Sequence, residues 1–215
     1  AARLSAQISE QKDLKITYSE KLSAATSRSM AADVEMKHVD STEIVPRKQQ
    51  VNELMKQRRS AEQSQQEANR ELTAKAGELD ELKQLIEKYE KEHQASPGSA
   101  ATGDAARELA EWLDSHLPGG SVSEENAAEQ AAEYQETLEG AINDLKDRIE
   151  ELTAEIAGLD RRIDETNAEI AEFSAKVEEL RAVKQAADAE AADYNRKLNA
   201  AISELETLNG ELAAV

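Results

Sequence analysis

No cysteine occurs in the 215 residues, so disulfides, thiolate metal sites and cysteine nucleophiles are all excluded. Aromatics make up 3% of the chain, with one Trp and one Phe, so the bulky side chains that fill globular cores are scarce. No stretch approaches the ~18 consecutive apolar residues that a membrane-spanning helix needs. Recognisable catalytic patterns are missing as well: there is no GxSxG, no glycine-rich phosphate loop and no HExxH. No EF-hand loop occurs either. The expectation is a non-enzyme with no catalytic residue, no cofactor and no tight metal site.

What the chain does hold is charge and helix formers. Charged residues are 33% of the total and the net charge is −19. Residues 1–95 carry 16 Lys+Arg against 17 Asp+Glu, whereas residues 96–215 carry 10 against 28. Such an acidic second part repels phosphate backbones and anionic lipid, which argues against nucleic acid as a partner. It favours basic protein surfaces and weak, diffuse binding of cations such as Ca²⁺. Paired carboxylates such as Glu150-Glu151 and Glu178-Glu179 read as a solvated helix face. The chain starts Ala1-Ala2-Arg3, which reads as a processed or trimmed fragment, and its compartment is open, with a secretory granule or extracellular setting favoured over the cytoplasm.

The strongest positive signal is a heptad pattern. Alternating steps of four and three residues from Leu138 meet Ile142, Leu145, Ile149, Leu152, Ile156, Leu159 and Ile163, then Ile170, Phe173, Val177 and Leu180. The same steps continue through Ala187, Ala191, Tyr194, Leu198, Ala201, Leu205, Leu208, Leu212 and Val215. Only Thr166 and Lys184 interrupt the apolar series. A spacing of about 3.5 residues keeps a narrow stripe facing a partner helix, as a left-handed coiled coil requires. These residues are the predicted packing seam. The pattern admits either a parallel dimer between chains or packing within one chain.

The first part is less regular. From Val51 the clock finds Leu54, Ala61, Ala68, Leu72, Leu79, Leu82, Ile86 and Tyr89, with Arg58, Gln65 and Lys75 intruding. Upstream, Leu4, Ile8, Tyr18, Leu22, Ala25, Ala32, Met36 and Val39 keep a weaker register. Pro46 after Asp40-Ser41-Thr42-Glu43 predicts a stop and a fresh N-cap, with a kink or short break near 40–47. Ser96-Pro97-Gly98-Ser99 through Thr102-Gly103, and Pro118-Gly119-Gly120-Ser121, are turn clusters. Between them Asp104 is placed to cap a short helix whose Leu109, Trp112, Leu113 and Leu117 share one face. Ser121-Val122-Ser123-Glu124 reads as a capping box opening the last helix.

The predicted fold is therefore all-α: a long coiled-coil helical hairpin or bundle with a kinked first arm and a short helical elbow. Its parts are a first arm at 1–95, an elbow at 96–122 and a strongly heptad second arm at 123–215. Leu109, Trp112 and Leu113 are the expected elbow anchor. The histidines, His38, His93 and His116, lack metal-ligand spacing and read as surface or loop residues.

Two segments carry a family resemblance. One runs Leu152-Thr-Ala-Glu-Ile-Ala-Gly-Leu-Asp-Arg-Arg-Ile-Asp-Glu-Thr-Asn-Ala-Glu-Ile-Ala-Glu and on to Leu180-Arg181, and the other is Asp193-Tyr194-Asn195-Arg196-Lys197-Leu198-Asn199-Ala200-Ala201-Ile202-Ser203-Glu204-Leu205. Together they resemble the trichocyst matrix proteins, or secretory granule lattice proteins, of ciliates and related protists. The resemblance is confined to the C-terminal half. It implies secretory packaging, proteolytic maturation and a paracrystalline lattice that expands when Ca²⁺ arrives.

The functional expectation is a structural coiled-coil protein that self-assembles or co-assembles, with itself or paralogues, into a filament, lattice or large complex. The alternative is a helical-hairpin adaptor whose tip docks a partner protein.

Overall fold

A computed structural model describes residues 2–98 and 103–214. The chain is all-α, 93% helical, and no strand occurs among the described residues. Helix α1 spans Ala2–Val39, a π-helical turn follows at Asp40–Ile44, and α2 spans Val45–Ala95. Helix α3 is Asp104–His116 and α4 is Ala127–Ala213. Among the described residues no helix is long and apolar enough to cross a membrane.

The chain divides into two units, Ala1–Glu53 with Arg162–Val215, and Leu54–Arg161. In the first unit α1 packs antiparallel to the later part of α4. Ile8 meets Leu205 and Leu208, the Tyr18 and Tyr194 rings are 6.3 Å apart, Lys176 pairs with Glu35 and Arg47 with Glu169. The seam here is thin, because Ala25, Ser29, Ala32, Ala187 and Ala201 fill its buried positions. In the second unit α2 runs antiparallel to the earlier part of α4, and α3 closes a three-helix core. Leu82, Leu109, Ala110, Leu113, Ala127, Ala131 and Leu138 form that core, with Leu79, Ile86, Tyr89, Trp112 and Tyr134 packed against it. Within both units the α4 stripe faces a helix of its own chain. Charge obeys the same rule: Arg28–Glu190, Arg47–Glu169, Arg58–Asp160 and Lys83–Glu139 each join a base of the first arm to an acid of α4.

Three local expectations need correcting. The first arm is kinked as expected, but no new N-cap forms after Val39, and the helix passes through residues 40–44 as a π turn in which the Val45 amide bonds the Asp40 carbonyl. The reason is a one-residue slip. Buried Val39 is followed by buried Ile44 and Leu54, so the step from 39 to 44 is one longer than the clock allows. A π turn, bonding i to i+5, takes up about one extra residue and returns the stripe to its partner. It also relieves the crowding that the Pro46 ring imposes on the carbonyl four residues back.

Asp104 does not cap α3. Gly103 is the N-cap residue and makes no side-chain cap bond. Glu92 of α2 does the work instead, its Oε2 accepting the Ala105 amide at 2.8 Å. A Cβ on Gly103 would lie 1.8 Å from Glu92 Oε1, so any side chain there pushes the capping carboxylate away. Glu92→Ala and Gly103→Ala should each cost about 1 kcal/mol, and the double variant no more than either. Additive losses in denaturant melts would show that the two do not share one cap.

The capping box at Ser121–Glu124 is likewise not formed. The segment is closed by backbone bonds, Asn126 N–H to the Ser123 carbonyl and Ala127 N–H to that of Glu124, and α4 begins at Ala127. The expected turn residues Ser99 and Thr102 lie outside the described residues, as does seam residue Val215.

Candidate functional site

The feature with the greatest extent and chemical definition is the interhelical seam. Ile142, Leu152, Leu159, Leu205 and Leu208 are buried. Leu145, Ile149, Ile156, Ile163, Ile170, Phe173, Val177, Leu180, Tyr194, Leu198 and Leu212 are half-buried. Half-burial is what a two-helix layer gives, since each knob is covered by one neighbour only. Ile156→Asp should lower the melting temperature clearly, because an uncompensated carboxylate would enter the seam. Glu155→Asp on the exposed face should leave it nearly unchanged, and equal melting curves would place Ile156 outside the interface.

Four of the polar residues that break the apolar series have identifiable partners. Thr166, buried, donates its hydroxyl to the Arg162 carbonyl at 2.7 Å. Opposite Lys184 stands buried Ser29, whose hydroxyl donates to Asp188, while Lys184 Nζ is 2.7 Å from Asp188 Oδ2. Lys184 first, and then Ser29, hold the Asp188 carboxyl below the usual aspartate range. Gln65 donates to the Thr153 hydroxyl at 2.7 Å, and Thr153 in turn donates to the Ile149 carbonyl. Arg58 Nε sits 2.5 Å from Asp160 Oδ1, off the donor axis, so the contact is ionic and not a directed hydrogen bond. The Thr166 bond stays within α4, whereas Ser29–Asp188, Gln65–Thr153 and Arg58–Asp160 each join the two sides at a fixed height. Slipping one side by a heptad would leave these groups unpaired, at about 1–3 kcal/mol for each that is buried. They act as register marks.

Arg47 ties the π turn to α4. Its Nε donates to Glu169 at 2.6 Å and its Nη1 to the Glu43 carbonyl at 3.0 Å, with the guanidinium 4.5 Å from the Phe173 ring centroid. Glu169 foremost, with Glu43 aiding, raises the arginine's pKa. Ser41 and Thr42 hydroxyls close the preceding turn on the His38 carbonyl, at 3.2 and 2.7 Å.

At the three-helix core Leu109 and Leu113 are fully buried. Trp112, read in the sequence as an anchor with them, lies half-buried at the rim. Its indole N–H donates to Glu81 at 3.1 Å, and its ring stacks on His116 with centroids 3.8 Å apart. Tyr134 donates to Glu78 at 3.1 Å, and burial, with the Glu78 charge second, pushes its pKa up. His93 stacks on Tyr89 and His38 is exposed. Among the described residues no three His, Asp or Glu side chains gather as a metal site. The grooves that accompany the helices, such as the one beside Trp112 lined by Glu81, Gln84, Leu85 and Lys88, are open to solvent.

Fold and seam define the class: antiparallel α-helical coiled coils stapled by polar pairs. Set against protein-family models, curated proteins and solved structures, the chain matches none.

Proposed function

We propose that this chain is a structural protein, a coiled-coil subunit that assembles laterally with copies of itself or close relatives into a filament or lattice, of the kind a secretory-granule matrix contains. The observation that supports this reading is where the chemistry is spent. Apolar side chains and polar pairs recur along the seam of both units, and they specify register instead of converging on a site. What faces outward is long helical surface with an acidic excess on α4. Sedimentation or light scattering at high protein concentration tests the reading, with mass above the monomer expected. A strictly monomeric mass with and without Ca²⁺ would overturn it.

Acidification separates assembly from folding. Lys184 lowers the pKa of Asp188, Lys197 that of Asp193, and Gln135 with Lys83 that of Glu139. A lowered carboxylate contributes stability that is present above its unfolded pKa, about 4, and is lost as pH falls through the folded value. Between pH 7 and 5 these groups stay charged and the fold should persist. A change in assembly over that range, or with millimolar Ca²⁺, then reports on repulsion between acidic helices, which act within about 8 Å at physiological salt. Identical sedimentation across both titrations would leave solubility as the sole role of the charge.

The rim at Trp112 supports a second reading, a docking surface for a partner protein. Trp112→Ala that leaves capture of such a partner intact would exclude it.

A further inference from the structure

Six large apolar residues are exposed among the described residues, and three of them, Ile16, Met30 and Val34, lie on α1 at 57, 65 and 66% exposure. At about 100° per residue all three fall on the side of α1 opposite buried Ala25. Between them that side carries Ser23 and Ser27, and it ends in exposed Asp13 on one side and Lys37 on the other.

We propose that this face of α1 binds the same face of a second copy of the chain, in antiparallel orientation centred on residue 25. The inference rests on the assembly reading above and names its surface. A two-fold axis at residue 25 sets Ile16 against the partner's Val34, Ser23 against the partner's Ser27, and Asp13 against the partner's Lys37. Because a two-fold contact is isologous, every pairing occurs twice, giving two apolar pairs flanked by two ion pairs. Parallel pairing would instead set Asp13 against Asp13 and Lys37 against Lys37, two like-charge contacts that select against it. The small Ser23 and Ser27 side chains at the centre permit close approach of the helices. Glu20 is the misfit, since it falls opposite the partner's Met30. The contact covers roughly 36 Å of helix at about 1.5 Å per residue with three large apolar side chains per copy, so it belongs to the weak size class. Such a two-fold contact closes on itself, so it supplies the dimer from which a larger lattice is built through other faces.

The chain has no cysteine, so introduced thiols report cleanly. Oxidising a mixture of I16C and V34C chains should give a cross-linked dimer, whereas neither variant alone should cross-link. Cross-linking of I16C alone would mean parallel pairing and overturn the proposal. In sedimentation equilibrium Val34→Glu should weaken dimerisation by about tenfold or more, since it buries a charge in the contact. Glu20→Leu should strengthen it, and Asp13→Lys with Lys37→Asp together should restore what either loses singly. These positions are exposed, so circular dichroism should show each variant folded. Association of the native chain that is indifferent to Val34→Glu would sink this face while leaving the assembly reading standing. A native chain that stays monomeric would remove both.

Discussion

Truncating Leu113 to alanine is expected to remove about 2–5 kcal/mol from the unit spanning Leu54–Arg161, the range for emptying a fully buried leucine site. Leu113 has no exposed surface and lies among Leu82, Leu109 and Leu138. The only tryptophan stands beside it, so denaturant melts monitored by Trp112 fluorescence should move to a visibly lower midpoint. A shift below about 1 kcal/mol, the scale of surface substitutions, would mean that α3 is not an integral part of the core. The same fluorophore separates the units. The seam of α1 with α4 is built on Ala25, Ser29, Ala32 and Ala187 and buries less apolar area per turn than the leucine core. Helix content should therefore begin to fall at lower temperature than the tryptophan signal.

The second large effect concerns chain length. Deleting exposed Glu172 from α4 should rotate the C-terminal remainder of that helix by about 100°. Val177, Leu180, Leu198, Leu205 and Leu208 would then leave the stripe, abolishing cooperative melting of the unit that contains α1. Deleting Thr42 from the π turn should be tolerated once Pro46 is replaced by alanine, because the steps through 39, 44, 47, 51 and 54 then become an unbroken four-three series. With Pro46 retained the same deletion should cost roughly 3 kcal/mol more, the penalty of proline inside an α-helix. Circular dichroism melts of the three variants decide the matter. Equal damage from both deletions would show that the π turn does not absorb the extra residue.

How far the sequence is legible depends on which interactions are local. The α4 stripe can be read directly, because burial recurs at a fixed spacing along one helix, and Thr166 and Lys184 stand out against it. Leu109 and Leu113 are legible for the same reason. The slip at Val39–Ile44 leaves a signal too, since the series upstream ends on 39 and the one downstream restarts at 51 in a shifted register. Pro46 draws the reading towards a break, whereas tertiary pairing with α4 keeps the helix continuous. The α3 cap could not be seen, because its acceptor comes from Glu92, across a turn, while the adjacent Asp104 mimics the usual signal. Nor does the Ile and Leu placement in α4 reveal its partner. Rules linking Ile and Leu positions to a parallel dimer describe isolated peptides, and here complementary charge and matched polar pairs bring an antiparallel helix of the same chain.

The cluster where Ile8, Leu205 and Leu208 meet, flanked by Leu4 and Leu212, sets how this molecule bears tension. A load drawn between Leu4 and Leu212 acts on two neighbouring helices at the same end of their seam, and so peels them apart instead of shearing them lengthwise. Only the outermost turns carry force at any moment, so opening should proceed turn by turn at low force. It should pause at the Ser29–Asp188–Lys184 knot and again at Arg47, where a polar pair must break before the next apolar turn is exposed.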